Sequence, residues 1–104
     1  MLWVAGEIDL ATAPSFEEAI TDVLADDPPA LIIDLSEVTF LASVGLQLLA
    51  ATHERISESA DFAVVALGPA TSRPIQLTRL DTIFALYSDL DDALVAVRRR
   101  PRLV

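Results

Sequence analysis

The chain of 104 residues contains no cysteine and is poor in several other residue types that carry chemistry. Without cysteine there is no disulfide, no thiolate metal site and no cysteine nucleophile. It has a single histidine, and its acids form no close cluster with metal-ligand spacing. Its three glycines are scattered, so it lacks the glycine-rich loop that cradles phosphates. We therefore expect neither a metal nor a cofactor.

Long apolar runs and a basic surface are also missing. No stretch is apolar for the roughly 20 residues that a membrane-spanning helix needs, and the N-terminus does not resemble a signal peptide. The formal net charge is −9, whereas nucleic-acid-binding proteins usually carry a basic face. We therefore predict a soluble, cytoplasmic protein with no nucleic-acid partner and no membrane partner.

Apolar residues make up 53% of the chain, which suits the core of one domain and argues against disorder. They occur in short runs that alternate with helical patterns. The predicted strands are 2–8, 30–36, 61–68 and 82–87, and the predicted helices are 11–27, 44–57, 69–80 and 88–100. This alternation is typical of a layered α/β domain with a largely parallel sheet.

The two ends of the chain raise separate expectations. The first strand starts at Leu2 and looks clipped, which favours an upstream strand that this start site lacks. All seven basic residues are arginines, and four of them stand at 98–102, within a basic tail at 98–104. This tail is either a solvated helix end, where cations suit the helix dipole, or a contact for an acidic partner or a membrane.

The most informative stretch is FLASVGLQLL at 40–49, where an apolar run ends in a serine and a helical stripe follows at once. Ser43 is predicted at or beside the N-cap of that helix, where a hydroxyl can accept from an unpaired N–H group. The second interpretation is a phosphorylation site, since a strand, a loop and a helix N-terminus form a natural anion site. Gly45 either leaves the backbone open to a partner or lets the helix pack closely on the sheet. The residues alone leave these alternatives open.

A third interpretation of Ser43, as a nucleophile, requires a base within hydrogen-bond reach. His53 lies about three turns along the same helix, which is too far. We predict that His53 is a packed or boundary residue. Asp34 is predicted to end the second strand and to tie down the next loop.

Several stretches together resemble the STAS domain, the fold of bacterial anti-sigma factor antagonists. DLSEVTFLASVGLQLL at 34–49 resembles the family pattern of a strand ending in D-L-S, followed by D-S-S/T-G-L opening a helix. GEIDLATAP at 6–14 resembles the family's G-E-L-D-x-x-T-A turn, and residues 62–94 follow its later order of strands and helices. The resemblance implies a single STAS domain over 1–104, with a parallel or mixed sheet of four to five strands and about four helices.

The resemblance also implies a function in partner switching. In this family an unphosphorylated antagonist binds an anti-sigma factor, often also a serine kinase with a histidine-kinase-like fold, and a sigma factor is released. The kinase phosphorylates a serine of the antagonist and ends the complex, and a PP2C-type phosphatase restores it. Ser43 occupies the position of that serine. By resemblance, the chain is a binding module and a kinase substrate, not an enzyme.

Residues near Ser43 are expected to contact the partner. The expected docking set is Glu7, Asp9, Thr12, Ala42, Ser43, Val44, Gly45 and Gln47. For Glu7, Asp9 and Thr12, a role in the turn and the helix cap is the alternative. Two positions depart from the family, because Ala42 replaces the usual aspartate and Val44 the usual second hydroxyl. These departures favour an alternative function as an unphosphorylated docking subunit of a transport or stress-sensing complex.

Overall fold

The computed structural model describes residues 1–56 and 60–99, with side chains as far as Val97 in the second range. Over these residues the chain forms four strands and four α-helices in strict alternation, as the sequence predicts. The strands are β1 (Leu2–Ile8), β2 (Ala30–Leu41), β3 (Asp61–Val65) and β4 (Ala85–Tyr87). The helices are α1 (Ala13–Leu24), α2 (Ser43–Arg55), α3 (Ser72–Leu77) and α4 (Leu90–Arg99), and a 3₁₀ turn at Leu80–Thr82 precedes β4.

The strands form one sheet in the order β1-β2-β3-β4, and each neighbouring pair is parallel. Parallel neighbours need a crossover between them, and a helix supplies it each time. The predicted α/β layered class is confirmed, and within the described residues the sheet has four strands, all parallel.

Helices cover both faces of the sheet. The larger core lies between one face and α1, α2 and α3, which contribute Ile20, Leu49 and Ile75 respectively. On the opposite face, Ala93 of α4 packs in a smaller cluster with Ile32. Burial on both faces explains the continuous apolar runs of β2 at 30–33 and of β3 at 62–65. No helix in the described part of the chain is long and apolar enough to cross a membrane.

β2 is longer than predicted, and its extra length carries the chain to Ser43. The prediction of a strand ending at residue 36 and a loop beyond it is wrong, because β2 continues to Leu41. Its second half pairs with β1 through two register shifts, each of which gives β2 one extra residue. Gly6 adopts a φ of +87° at the second shift, a conformation that glycine reaches without strain.

Asp34 lies inside β2 and not at its end, which corrects a second expectation. It is the last residue of β2 that pairs with β3, opposite Val65. Its buried carboxylate accepts a hydrogen bond from the N–H group of Ser36 at 2.9 Å. The side chain therefore satisfies a backbone donor at the first register shift, where β2 leaves β3.

The helix predicted at 69–80 is also shorter in the structure. It ends at Leu77, because Arg79 adopts a left-handed φ of +61° and a 3₁₀ turn then leads to β4. The elements α1, β3 and β4 are likewise shorter than predicted, and α4 begins two residues later than predicted. The predicted ends of the second and fourth helices, at residues 57 and 100, lie outside the described residues, and so do the side chains of the basic tail at 98–104.

Candidate functional site

Ser43 lies where β1 and β2 end side by side. The last residues of these strands, Ile8 and Leu41, are paired in the sheet. The N–H group of Ala42 donates to the carbonyl of Ile8 at 2.9 Å and so joins the two chain segments beyond the strands. Residues 6–12 and 40–47 therefore form one corner of the molecule, which we call the Ser43 corner.

The side chain of Ser43 is exposed and does not cap α2. The N-cap position belongs to Ala42, which has extended backbone angles (φ −79°, ψ 168°) and no side-chain acceptor. Ser43 is the first residue of α2, and its hydroxyl makes no hydrogen bond within the described residues. The capping interpretation is therefore wrong. An unengaged hydroxyl at the positive end of a helix dipole is compatible with a phosphate, which the dipole would stabilise.

Gly45 is buried and allows α2 to pack closely on the sheet. A Cβ atom at this position would lie 2.5 Å from Leu41 Cδ1 and 2.7 Å from Ile8 Cγ2. Both separations are far below a normal contact between carbon atoms. Of the two interpretations of this glycine, the structure supports close packing. A contact between Gly45 and a partner stays a prediction.

The side chains of Asp9 and Thr12 hold the turn after β1. Asp9 Oδ1 accepts hydrogen bonds from the N–H groups of Ala11 at 2.9 Å and Thr12 at 3.0 Å. The Thr12 hydroxyl accepts from the N–H group of Asp9 at 2.9 Å and donates to the carbonyl of Glu7 at 2.8 Å. Thr12 occupies the N-cap position of α1, but its side chain makes no cap hydrogen bond. The alternative role in the turn is confirmed for Asp9 and Thr12, and their docking role stays a prediction.

Asp9→Ala is expected to lower the free energy of unfolding by about 1 kcal/mol, because two backbone N–H groups lose their acceptor in a half-exposed turn. Asp9→Asn keeps an acceptor oxygen and should lose less than half as much. Urea unfolding followed by circular dichroism measures both variants. Equal losses for alanine and asparagine would contradict this role of the side chain.

The other predicted docking residues differ in exposure. The side chains of Glu7 and Gln47 are exposed, whereas Ala42 and Val44 are half-buried. The fold thus gathers the whole predicted set at one corner, with Gly45 below its surface. The corner carries the acids Glu7 and Asp9 and contains no lysine or arginine.

Sequence reasoning missed two large apolar side chains at the same corner. Leu10, in the turn after β1, is 81% exposed, and Phe40, near the end of β2, is 50% exposed. Phe40 lies opposite Glu7 in the β1–β2 register. The leucine in the turn D-L-A-T could have been recognised from the sequence. A residue in a turn belongs to no strand or helix whose apolar face would bury it, so its exposure was predictable. Phe40 was hidden by the incorrect prediction of a loop.

His53 lies ten residues beyond Ser43 along α2, which is about 15 Å at the helical rise of 1.5 Å per residue. Its side chain is exposed, and its ring centroid is 6.4 Å from that of Phe62. It is therefore a boundary residue, as predicted, and it is out of reach of the Ser43 hydroxyl. Within the described residues, no group of three potential metal ligands comes together.

Comparison with known proteins identifies the family. The family model of the STAS domain matches residues 1–93. The anti-sigma-F factor antagonist RsfB of Mycobacterium tuberculosis is 58% identical over 98 residues, which cover 94% of this chain and 80% of RsfB. An anti-sigma factor antagonist from Mycobacterium paratuberculosis has a crystal structure with a TM-score of 0.91 and 62% identity, covering 92% of this chain and 82% of that one. The anti-sigma factor antagonist SpoIIAA, in its unphosphorylated form, shares the fold with a TM-score of 0.67 at 14% identity, covering 94% and 87% of the two chains. The chain therefore belongs to the STAS domain family.

Proposed function

We propose that this protein is an anti-sigma factor antagonist, which binds an anti-sigma factor through the Ser43 corner and thereby releases a sigma factor. The observation that carries the proposal is the exposed, unengaged hydroxyl of Ser43 at the first position of α2. Two relatives at 58% and 62% identity are anti-sigma factor antagonists, which supports the same function here. The residues proposed to dock are Glu7, Asp9, Thr12, Ala42, Ser43, Val44, Gly45 and Gln47.

The proposal includes regulation by phosphorylation of Ser43. A phosphate adds about −1.5 to −2 charges at neutral pH. The dipole of α2 stabilises that charge within this chain, so the fold tolerates the modification. The Ser43 corner offers no lysine or arginine to neutralise the phosphate, and Glu7 and Asp9 already make the corner acidic. In a complex with a docked partner, the phosphate charge is therefore not neutralised, and the complex dissociates.

The partner is proposed to be both an anti-sigma factor and the serine kinase for Ser43, with a histidine-kinase-like ATP-binding fold. A PP2C-type phosphatase then restores the active form. In this cycle the protein is a cytoplasmic regulator and a kinase substrate, with no catalytic role of its own.

One observation favours a second candidate function. Ala42 and Val44 lack the carboxylate and the hydroxyl that flank the phosphorylated serine elsewhere in the family. Without these groups, the corner would serve as an unmodified docking surface in a transport or stress-sensing complex. The two candidates differ in one observable, the phosphate on Ser43.

The test combines calorimetry with intact-mass analysis. The chain is first titrated, without ATP, with the anti-sigma-F factor of M. tuberculosis and with each anti-sigma-type kinase of the source organism. We expect a complex with a Kd of about 1 μM or tighter. After incubation with ATP and the same proteins, we expect one added phosphate on the wild-type chain and none on Ser43→Ala.

Each result separates the two candidate functions. A complex without any added phosphate supports the unmodified docking subunit. A phosphate that persists on Ser43→Ala contradicts the assignment of the site. If no complex forms with any of these proteins, the antagonist function is wrong.

A further inference from the structure

We infer that Leu10 and Phe40 are the apolar anchors through which the Ser43 corner binds the anti-sigma factor. This inference rests on the proposed function and adds two residues outside the family motif. It also specifies one part of the partner surface, which must present apolar recesses to Leu10 and Phe40.

Both residues lie at or just beyond the strand ends that position Ser43. Leu10 follows Ile8, the last residue of β1, by two positions, and Ser43 follows Leu41, the last residue of β2, by two positions. Ile8 and Leu41 are paired, and parallel strands lie about 4.8 Å apart. The segments that contain Leu10 and Ser43 therefore start from neighbouring points at the same edge of the sheet. Phe40 precedes Leu41 directly. A partner that covers Ser43 therefore docks beside the two chain segments that carry these apolar side chains.

Neither side chain contributes to the core. Leu10 is 81% exposed and Phe40 50% exposed, and neither belongs to the two clusters of packed apolar residues. On the face of the sheet opposite the main core, α4 packs against Ile32. Phe40 lies eight residues further along β2 and is not part of that contact. Both exposed apolar residues belong to one corner, and clustered exposed apolar groups are typical of interaction surfaces.

The backbone that carries both side chains is ordered before any partner arrives. The turn that carries Leu10 is fixed by the hydrogen bonds of Asp9 Oδ1 and of the Thr12 hydroxyl. Phe40 is held by the pairing of β2 with β1, opposite Glu7. A backbone that is already ordered loses little conformational entropy on binding, so a smaller part of the favourable contact energy is offset.

An apolar docking surface also explains how a phosphate would end the complex. A charge enclosed between apolar surfaces loses its hydration and gains no counter-ion. Neither segment of the Ser43 corner supplies a cation. The penalty therefore falls on the complex and not on the free chain, where the phosphate stays hydrated.

The test compares Leu10→Ser and Phe40→Thr with a matched control, Leu77→Ser. Leu77 is 73% exposed at the end of α3 and lies outside the Ser43 corner. Each variant is titrated with the anti-sigma-F factor of M. tuberculosis in the absence of ATP, and its urea midpoint is measured. We expect each corner variant to bind about fivefold more weakly or worse, the control to bind within about twofold of wild type, and all urea midpoints to stay unchanged.

The outcomes distinguish this inference from the proposed function. If Leu10→Ser and Phe40→Thr bind like wild type while Ser43→Asp binds weakly, the anchor role of Leu10 and Phe40 is contradicted. The docking role of the Ser43 corner is then still supported. If Leu77→Ser weakens binding as much as the corner variants, the inference is also overturned, because the loss of affinity would then not depend on a position in the Ser43 corner. If Phe40→Thr lowers stability, Leu10→Ser decides alone, since its side chain has no packing role. A wild-type chain that does not bind removes both proposals.

Discussion

Gly45→Val is expected to lower the free energy of unfolding by about 3 kcal/mol, the upper end of what overpacking usually costs. The first added atom alone would lie 2.5 Å from Leu41 Cδ1 and 2.7 Å from Ile8 Cγ2. Ile8 is 1% exposed and branched at Cβ, so its Cγ2 moves only if the whole side chain changes rotamer within the core. The clash therefore pushes α2 away from the ends of β1 and β2.

Gly45→Ala should cost less, because alanine brings one clashing atom and regains up to about 1 kcal/mol of helix propensity. The matched control is Ala51→Val, at an exposed position of the same helix, which should cost less than about 1 kcal/mol. Urea unfolding and thermal melts measure the series, with a fall in Tm of roughly 10–20 °C expected for Gly45→Val. Equal stability of the two valine variants would show that the close packing of Gly45 is unimportant.

Ser43→Asp is expected to weaken binding to the anti-sigma factor at least tenfold, about 1.4 kcal/mol. The variant places a permanent charge on the first residue of α2, at a corner that already carries Glu7 and Asp9. Within the free chain, a negative charge at this end of the helix is favourable, so stability should be unchanged or slightly higher. In the complex, the same charge is desolvated against the partner.

Ser43→Asn is the control for this variant, because asparagine has nearly the shape of aspartate without its charge. Calorimetric titration with the M. tuberculosis anti-sigma-F factor should give near wild-type affinity for the asparagine variant and a clear loss for the aspartate variant. If both variants bind alike, shape rather than charge governs the corner, and a phosphate switch loses its physical basis.

The positions of strands and helices were predictable where a segment carries its own pattern. β2 and β3 contain continuous apolar runs at 30–33 and 62–65, and α1 shows its buried stripe at Phe16 and Ile20. The end of β2 was missed, although Glu37 and Thr39 alternate with Val38 and Phe40 in the manner of a half-buried strand. Those residues are held in a strand by pairing with β1, which lies some thirty positions earlier in the chain.

Some features of the candidate site were likewise predictable from the sequence, and others were not. The motif placed Ser43 at a boundary between a strand and a helix, and that boundary is confirmed. The motif did not indicate that Ala42 holds the N-cap position or that Asp34 serves a register shift inside β2. These facts depend on backbone angles and on the register between strands, which single residue types do not specify.

The sequence by itself determined the alternation of strands and helices, the family pattern and the position of Ser43, because local periodicity and motif order are properties of contiguous residues. The tertiary structure alone decided that Gly45 is a packing contact with Ile8 and Leu41, and that Leu10 and Phe40 share a corner with Ser43. These relations join segments far apart in the chain. They follow from the register of β1 on β2, which depends on how the apolar faces of both strands are buried together and not on either strand alone.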